Sequence, residues 1–169
     1  NVIDTLNWEP AFEVYRRVVE PHSGRSFGSE KFFDLAKGYP LGIRRLDAEF
    51  VVRDPLMNVD GSLVCVGEVP EGSFVSVLHG DAESLLKGAV RAKEIARASF
   101  PAEAAPRALF LADCVSRALF LEDGFARELA ALAGTAPLFG ALTIGEIANN
   151  GREYLEFFNK TAAVAILGE

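Results

Sequence analysis

The chain has 169 residues, is 50% hydrophobic and carries a formal net charge of -7, with a sequence pI near 4.9. That length and apolar content suit one folded domain with a real core and exclude a disordered chain. The acidic balance opposes a nucleic-acid role, because phosphate binding needs clustered Lys and Arg, and Arg16-Arg17 and Arg44-Arg45 are isolated pairs that read as solvated faces.

In chain order, a helix is expected from about Pro10, where proline suits a first turn, with Ala11, Val14, Tyr15 and Val18 forming one buried stripe. Pro21 and the Ser23-Gly24 that follow should end it, leaving His22 in a loop. A shorter helix should start at Ser29 as cap, turn Phe32, Phe33 and Leu35 inward and stop at Gly38. From Pro40 the pattern changes to short strands over 41–46, 49–52, 63–66 and 73–78, separated by turn signals of which Asp60-Gly61 is the clearest. Four strands with short connections imply an antiparallel meander. Arg53-Asp54-Pro55 should end a strand, since proline cannot donate to a central ladder. Arg53 is then either a ligand group or a strand-end cation facing water.

The best helix signal covers 81–99, capped by Asp81, with Ala82, Leu85, Leu86, Ala89, Ala92 and Ala96 inward. His79 precedes it at an element boundary, and reads either as a turn residue or as a ligand group near free helix N–H donors. The continuous apolar run over 107–112 suggests a strand buried on both faces and central in its sheet. It delivers Asp113-Cys114-Val115-Ser116-Arg117 at its end, before a helix over 122–133 with Phe125, Leu129 and Leu132 inward and Gly134 as stop. Strands over 138–144 and 161–167, divided by the polar run from Asn149 to Arg152, read as a hairpin. The fold expected is α+β: a largely antiparallel, mixed β-sheet with an N-terminal helical segment and two later helices packed on it.

Strand ends of the Arg117 type commonly build sites. Arg117 offers a rigid fork of donors for a carboxylate, Glu146 an acceptor for an ammonium group, and Asn159 and Thr161 neutral partners, a set suited to a small zwitterion such as an amino acid. The alternative is that Arg117 and Glu146 pair with each other as a buried structural ion pair. Cys114 as a nucleophile would need a positioned base, and neither His22 nor His79 has a sequence relation to it, so no enzyme is expected. Cys65 and Cys114 lie far apart in apolar runs without metal or disulfide spacing, which favours unpaired thiols in a reduced, cytoplasmic setting. No run of about 18 apolar residues suggests a membrane span, and no signal peptide opens the chain. Starting at Asn1 without Met, the sequence reads as a piece of something longer.

Gly145-Glu146-Ile147 followed by Asn159-Lys160-Thr161 resembles the closing signature of the FIST C-terminal domain. Three other segments agree in order: Arg53-Asp54-Pro55-Leu56, then Asp60-Gly61-Ser62-Leu63 leading to Val69-Pro70-Glu71-Gly72, then Cys114-Val115-Ser116-Arg117. The resemblance covers about residues 10–168, read as a single domain over 1–169. It implies an intracellular sensory domain beside a FIST N-terminal domain, attached to a signalling output such as a histidine kinase, a cyclic-dinucleotide enzyme or a chemotaxis receptor. It further implies a small-molecule ligand, with amino acids proposed for the family, and a candidate site of Arg117, Glu146, Asn159, Thr161, Cys114 and Arg53. Some members are similar to haem-binding nitric oxide sensors. Here Phe158 stands where many members carry a His, so haem, the alternative cofactor, would fall to His79. A third reading is an interaction module without a ligand.

Overall fold

Pro10 holds an extended backbone that enters the first helix, and Gly24, with φ +68°, supplies the left-handed residue that ends it, its N–H donating to the Glu20 carbonyl. The computed structural model describes residues 1–46, 49–149 and 155–169. The chain divides into two compact units, Asn1–Gly80 and Asp81–Glu169.

The first unit runs β1 (Val2–Ile3), β2 (Thr5–Leu6), β3 (Glu9–Pro10), α1 (Ala11–Ser23), α2 (Phe32–Ala36), β4 (Leu41–Ile43), β5 (Val51–Arg53), β6 (Pro55–Val59), β7 (Ser62–Cys65) and β8 (Val75–Val77). Ala11, Tyr15 and Val19 of α1 join Leu35, Leu41, Leu63 and Cys65 in one core. Val19, not the expected Val18, completes the stripe; Val18 is 48% exposed. Pro21 lies inside the last turn rather than ending the helix, so His22 is helical and not in a loop. α2 opens after Lys31, two residues beyond the Ser29 expected as its cap.

The expected four-strand meander is instead divided between two antiparallel sheets, β5-β4-β8 and β1-β7-β6. Pro55, which has no N–H for a ladder, separates β5 from β6, and the N-terminal β1 supplies the other edge partner of β7. Asp60 and Gly61, with φ of +49° and +90°, make the tight turn joining β6 to β7, as the twist of a two-residue hairpin requires.

The second unit runs α3 (Ala82–Ser99), β9 (Pro106–Cys114), α4 (Val115–Leu121), a 3-10 turn at Glu122–Gly124, α5 (Phe125–Leu132), β10 (Leu138–Thr143), β11 (Glu146–Ala148), β12 (Glu156–Phe158) and β13 (Ala162–Gly168). Asp81 caps α3 reciprocally with Ser84: Ser84 N–H donates to Asp81 Oδ1 at 2.7 Å and Asp81 N–H to Ser84 Oγ at 2.9 Å. Strand β9 is central, as its apolar run implied, with β10 parallel on one side and β13 antiparallel on the other.

The two last strands therefore do not form a hairpin with each other. The chain reaches β10 by a helical crossover, which makes it parallel to β9, while β11 and β12 form a small hairpin of their own before β13 takes the remaining edge. Asn150, Gly151 and Arg152 of the polar run lie outside the described residues. The helix expected over 122–133 is shorter, and its inward face differs: Glu128 and Leu132 are fully buried, whereas Leu129 is 37% exposed. The class is α+β with mostly antiparallel small sheets.

Candidate functional site

The parallel register of β9 and β10 sets Thr143 beside Cys114, so both strands end on the same side of the sheet. Asp113 and Cys114 close β9, and the first turn of α4 contributes Ser116 and Arg117. Glu128 comes from α5, Glu146 from the start of β11, and Asn159 from the turn before β13. Asp113, Cys114, Arg117, Glu128, Glu146 and Asn159 are all buried.

Arg117 is 4% exposed and committed to the fold. Its Nε–H donates to Glu128 Oε1 at 3.2 Å, Nη2 donates to Glu128 Oε2 and to the Leu85 carbonyl at 2.9 Å, and Nη1 donates to the Lys160 carbonyl at 3.4 Å. Asp113 Oδ1 lies 3.1 Å from the same Nε. That single N–H is directed at Glu128, so the contact with Asp113 is ionic, and the Asp113 carboxyl also lies within hydrogen-bonding reach of Glu128. Arg117 is thus the buried ion-pair residue of the alternative reading, but its partners are Glu128 and Asp113 in place of Glu146.

Glu146 Oε1 is 2.5 Å from Thr143 Oγ1, which also lies 3.2 Å from the Asp113 carbonyl. Glu146 Oε2 and Asn159 Oδ1 are buried, and no described residue meets them with good hydrogen-bond geometry. Asn159 Nδ2 donates to the Ile144 carbonyl at 3.3 Å. Gly145 lets these segments close: a Cβ there would stand 2.3 Å from the Phe157 ring and 3.1 Å from Asn159 Nδ2. Phe158 is the register partner of Glu146. The Thr161 hydroxyl donates to the Asn159 carbonyl at 3.1 Å and is used in the local turn. Cys114 Sγ lies 3.3 Å from Ser116 Oγ.

Burial first, then the neighbouring Glu128 carboxyl, pushes Asp113 up to about 7. Burial pushes Glu146 up to about 7, opposed by the hydrogen bond from Thr143 and then by the Thr161 N–H, the Cys114 thiol and the charge of Arg117. Burial also raises the Cys114 thiol, which works against a thiolate. Two carboxyl groups, of Asp113 and Glu128, thus face one guanidinium with Glu146 further off, and the Lys160 ammonium lies over the Phe120 ring, 5.5 Å from its centroid.

Arg53 belongs to the first unit and does not face water. It is 5% exposed, with Nε donating to the Glu68 carbonyl at 2.8 Å and Nη1 to the Val52 carbonyl at 3.0 Å. His79 is also in the first unit: its ring lies 4.9 Å from that of His22 and 5.0 Å from that of Tyr39, whose hydroxyl is 2.9 Å from His22 Nδ1. Cys65 and Cys114 are free and buried.

Sequence reasoning passed over Asp113 and Glu128 as site residues. Both carried a signal, since Asp113 continues the alternation of Leu109 and Leu111 along β9, and Glu128 stands one turn before Leu132 on the apolar face of α5.

The FIST C domain family matches residues 11–149, a stretch that takes in parts of both units and the Cys114, Arg117 and Glu146 segments; Asn159 and Thr161 follow it. No curated protein and no solved structure gives a match. A match over most of the sequence, together with the convergence of Cys114, Arg117 and Glu146 at one strand end, places the chain in the FIST C domain family of sensory domains from signalling proteins.

Proposed function

We propose that this domain is the small-ligand sensor of a cytoplasmic signalling protein, beside a FIST N-terminal domain and an output domain, and that it recognises an ammonium group at the strand end of the second unit. The observation that carries this reading is the burial of two acceptors, Glu146 Oε2 and Asn159 Oδ1, that no described residue meets with good hydrogen-bond geometry, the Thr161 N–H and the Cys114 thiol being the donors near the Glu146 carboxyl. Buried polar groups are costly without partners, and a ligand with several N–H donors supplies them. Amino acids remain candidates through their amino end. Their carboxylate finds little grip on the buried Arg117, four of whose five N–H donors go to Glu128 and two carbonyls.

The domain performs no catalysis in this reading. The Cys114 thiol is raised by burial, and both histidines belong to the other unit. Haem, the alternative, would fall to His79, whose ring packs against His22 and Tyr39 in the first unit. Among the described residues no helix is long and apolar enough to cross a membrane.

Thermal denaturation with a panel of amines, amino acids and carboxylic acids tests the proposal. A binder present at about 100 times its Kd adds about 2.7 kcal/mol of stability. Amine-bearing ligands should raise the melting temperature, and Glu146→Gln should weaken that response while leaving the unliganded protein folded. Stabilisation by carboxylic acids without an amine would contradict the ammonium reading, and stabilisation by nothing in the panel would favour an interaction module.

A further inference from the structure

Strand β10 forms one edge of the β10-β9-β13 sheet, and no described strand pairs with its outer side. The Leu109 N–H donates to the Pro137 carbonyl at 2.9 Å, and Leu109 stands opposite Leu138. In a parallel ladder such a residue bonds to the two positions flanking its partner, so residues 137, 139 and 141 turn their backbone groups toward β9. The N–H and C=O of Leu138, Gly140 and Leu142 therefore point away from the sheet. Proteins guard such edges with charge, proline, bulges or cover. The opposite edge, β13, has a register shift between Leu167 and Gly168 and the Arg107–Glu169 ion pair beside it. In the first unit, edge strand β6 opens on Pro55 and has a register shift of its own. Strand β10 has no such guard: its register with β9 is unbroken from Leu138 to Thr143, and no charged residue occurs between Glu128 and Glu146. Pro137 lies before the strand, in the alternation that faces β9, and leaves the outer side open. Phe139 and Leu142 are 52% and 53% exposed.

We propose that β10 is where two copies of this chain join, the two strands pairing antiparallel about a two-fold axis at Gly140. Three strands from each copy then make one continuous sheet. The edge is self-complementary about that point. The outward groups of Leu138, Gly140 and Leu142 are spaced evenly on either side of it, so Gly140 meets Gly140 and Leu138 meets Leu142 of the other copy, each as a hydrogen-bonded pair. Phe139 lies opposite Ala141, a large side chain against a small one. Charge selects the occupant. Copies that each carry a net charge of -7 repel one another, and this uncharged stretch lets them meet without setting like charges face to face. The contact is isologous and closes on itself, so neither β10 edge remains free to recruit a third copy.

Sedimentation of the 169-residue chain over a range of concentrations tests the proposal, together with disulfide cross-linking. A reversible dimer is expected. Leu142→Lys, at a position half-exposed in the single chain, should weaken the dimer tenfold or more while the circular dichroism stays that of the parent. Residues 139 and 141 of opposite copies form non-hydrogen-bonded pairs with Cα atoms about 4.5 Å apart, within the about 4.4–6.8 Å that a disulfide spans. Mild oxidation should therefore lock the double variant Phe139→Cys, Ala141→Cys into a covalent dimer. Phe139→Cys alone should not cross-link, because its like residues fall on a diagonal about 7–8 Å apart. The cross-link decides the matter if Leu142→Lys fails to fold. A chain that is monomeric at every concentration would overturn the proposal. A dimer that survives Leu142→Lys and never cross-links through positions 139 and 141 would overturn it too, by placing the interface on another surface.

Discussion

Replacing Arg117 by alanine tests whether the strand end is held together by charge. The substitution leaves Asp113 and Glu128 buried beside each other with no cation between them, and it strips the Leu85 and Lys160 carbonyls of a donor. Removing one partner of a buried ion pair costs about 3–5 kcal/mol, and each buried acceptor left unmet adds about 1–3 kcal/mol before relaxation. Because neighbouring effects do not add, about 4 kcal/mol is the expected loss at pH 8. Urea denaturation at pH 8 and pH 5 measures it, with the slope compared between variant and parent to detect a change in the unfolding transition. The loss should shrink at pH 5, where Asp113 takes up a proton and the uncompensated charge is relieved. A loss below about 1 kcal/mol at pH 8 would refute the reasoning, because a side chain this deeply paired cannot leave a stable cluster behind.

Gly140→Ala should disrupt the β9–β10 pairing, since the atom in the way is the Leu111 carbonyl and cannot swing aside. Gly145→Ala meets the Phe157 ring and should cost about 1–3 kcal/mol, an overpacking penalty read by the same denaturation curves. Asp113 and Glu146 are both raised to about 7, so the native state binds protons that the unfolded chain gives up near pH 4. Their contribution to stability is complete below about pH 4 and is lost as pH rises through 7; melting temperatures recorded between pH 5 and 8 should fall with increasing pH, and a rise would show that these carboxyls are not raised. Cys65, pushed up to about 11 by burial, and Cys114 should both be silent to a thiol reagent in the native protein and both react after denaturation.

Local rules carried the sequence reading as far as they reach. The capping of α3 by Asp81, the Asp60-Gly61 turn and the central place of β9 each follow from a few adjacent residues. Pairing partners do not. Nothing local says that β9 would take both β10 and β13 as neighbours, or that β1 would join β7, because two edges of an apolar strand accept any strand of suitable pattern. The same limit explains the site. Glu146 and Asn159 were legible as motif residues, but the deep burial of Arg117 depended on Glu128, a carboxylate to which the helix pattern over 122–133 gave no role. The proximity of His22 and His79 likewise arises where the end of α1 meets the segment after β8, a tertiary contact with no spacing signature.

Amide chemical-shift mapping of the whole chain during titration with n-hexylammonium addresses the ligand site most directly. The ammonium reading predicts saturable shifts concentrated at residues 113–117, 143–147 and 158–161, lost in Glu146→Gln. Shifts confined to the first unit, around His22, Tyr39 and His79, or no saturable shift at all, would contradict it.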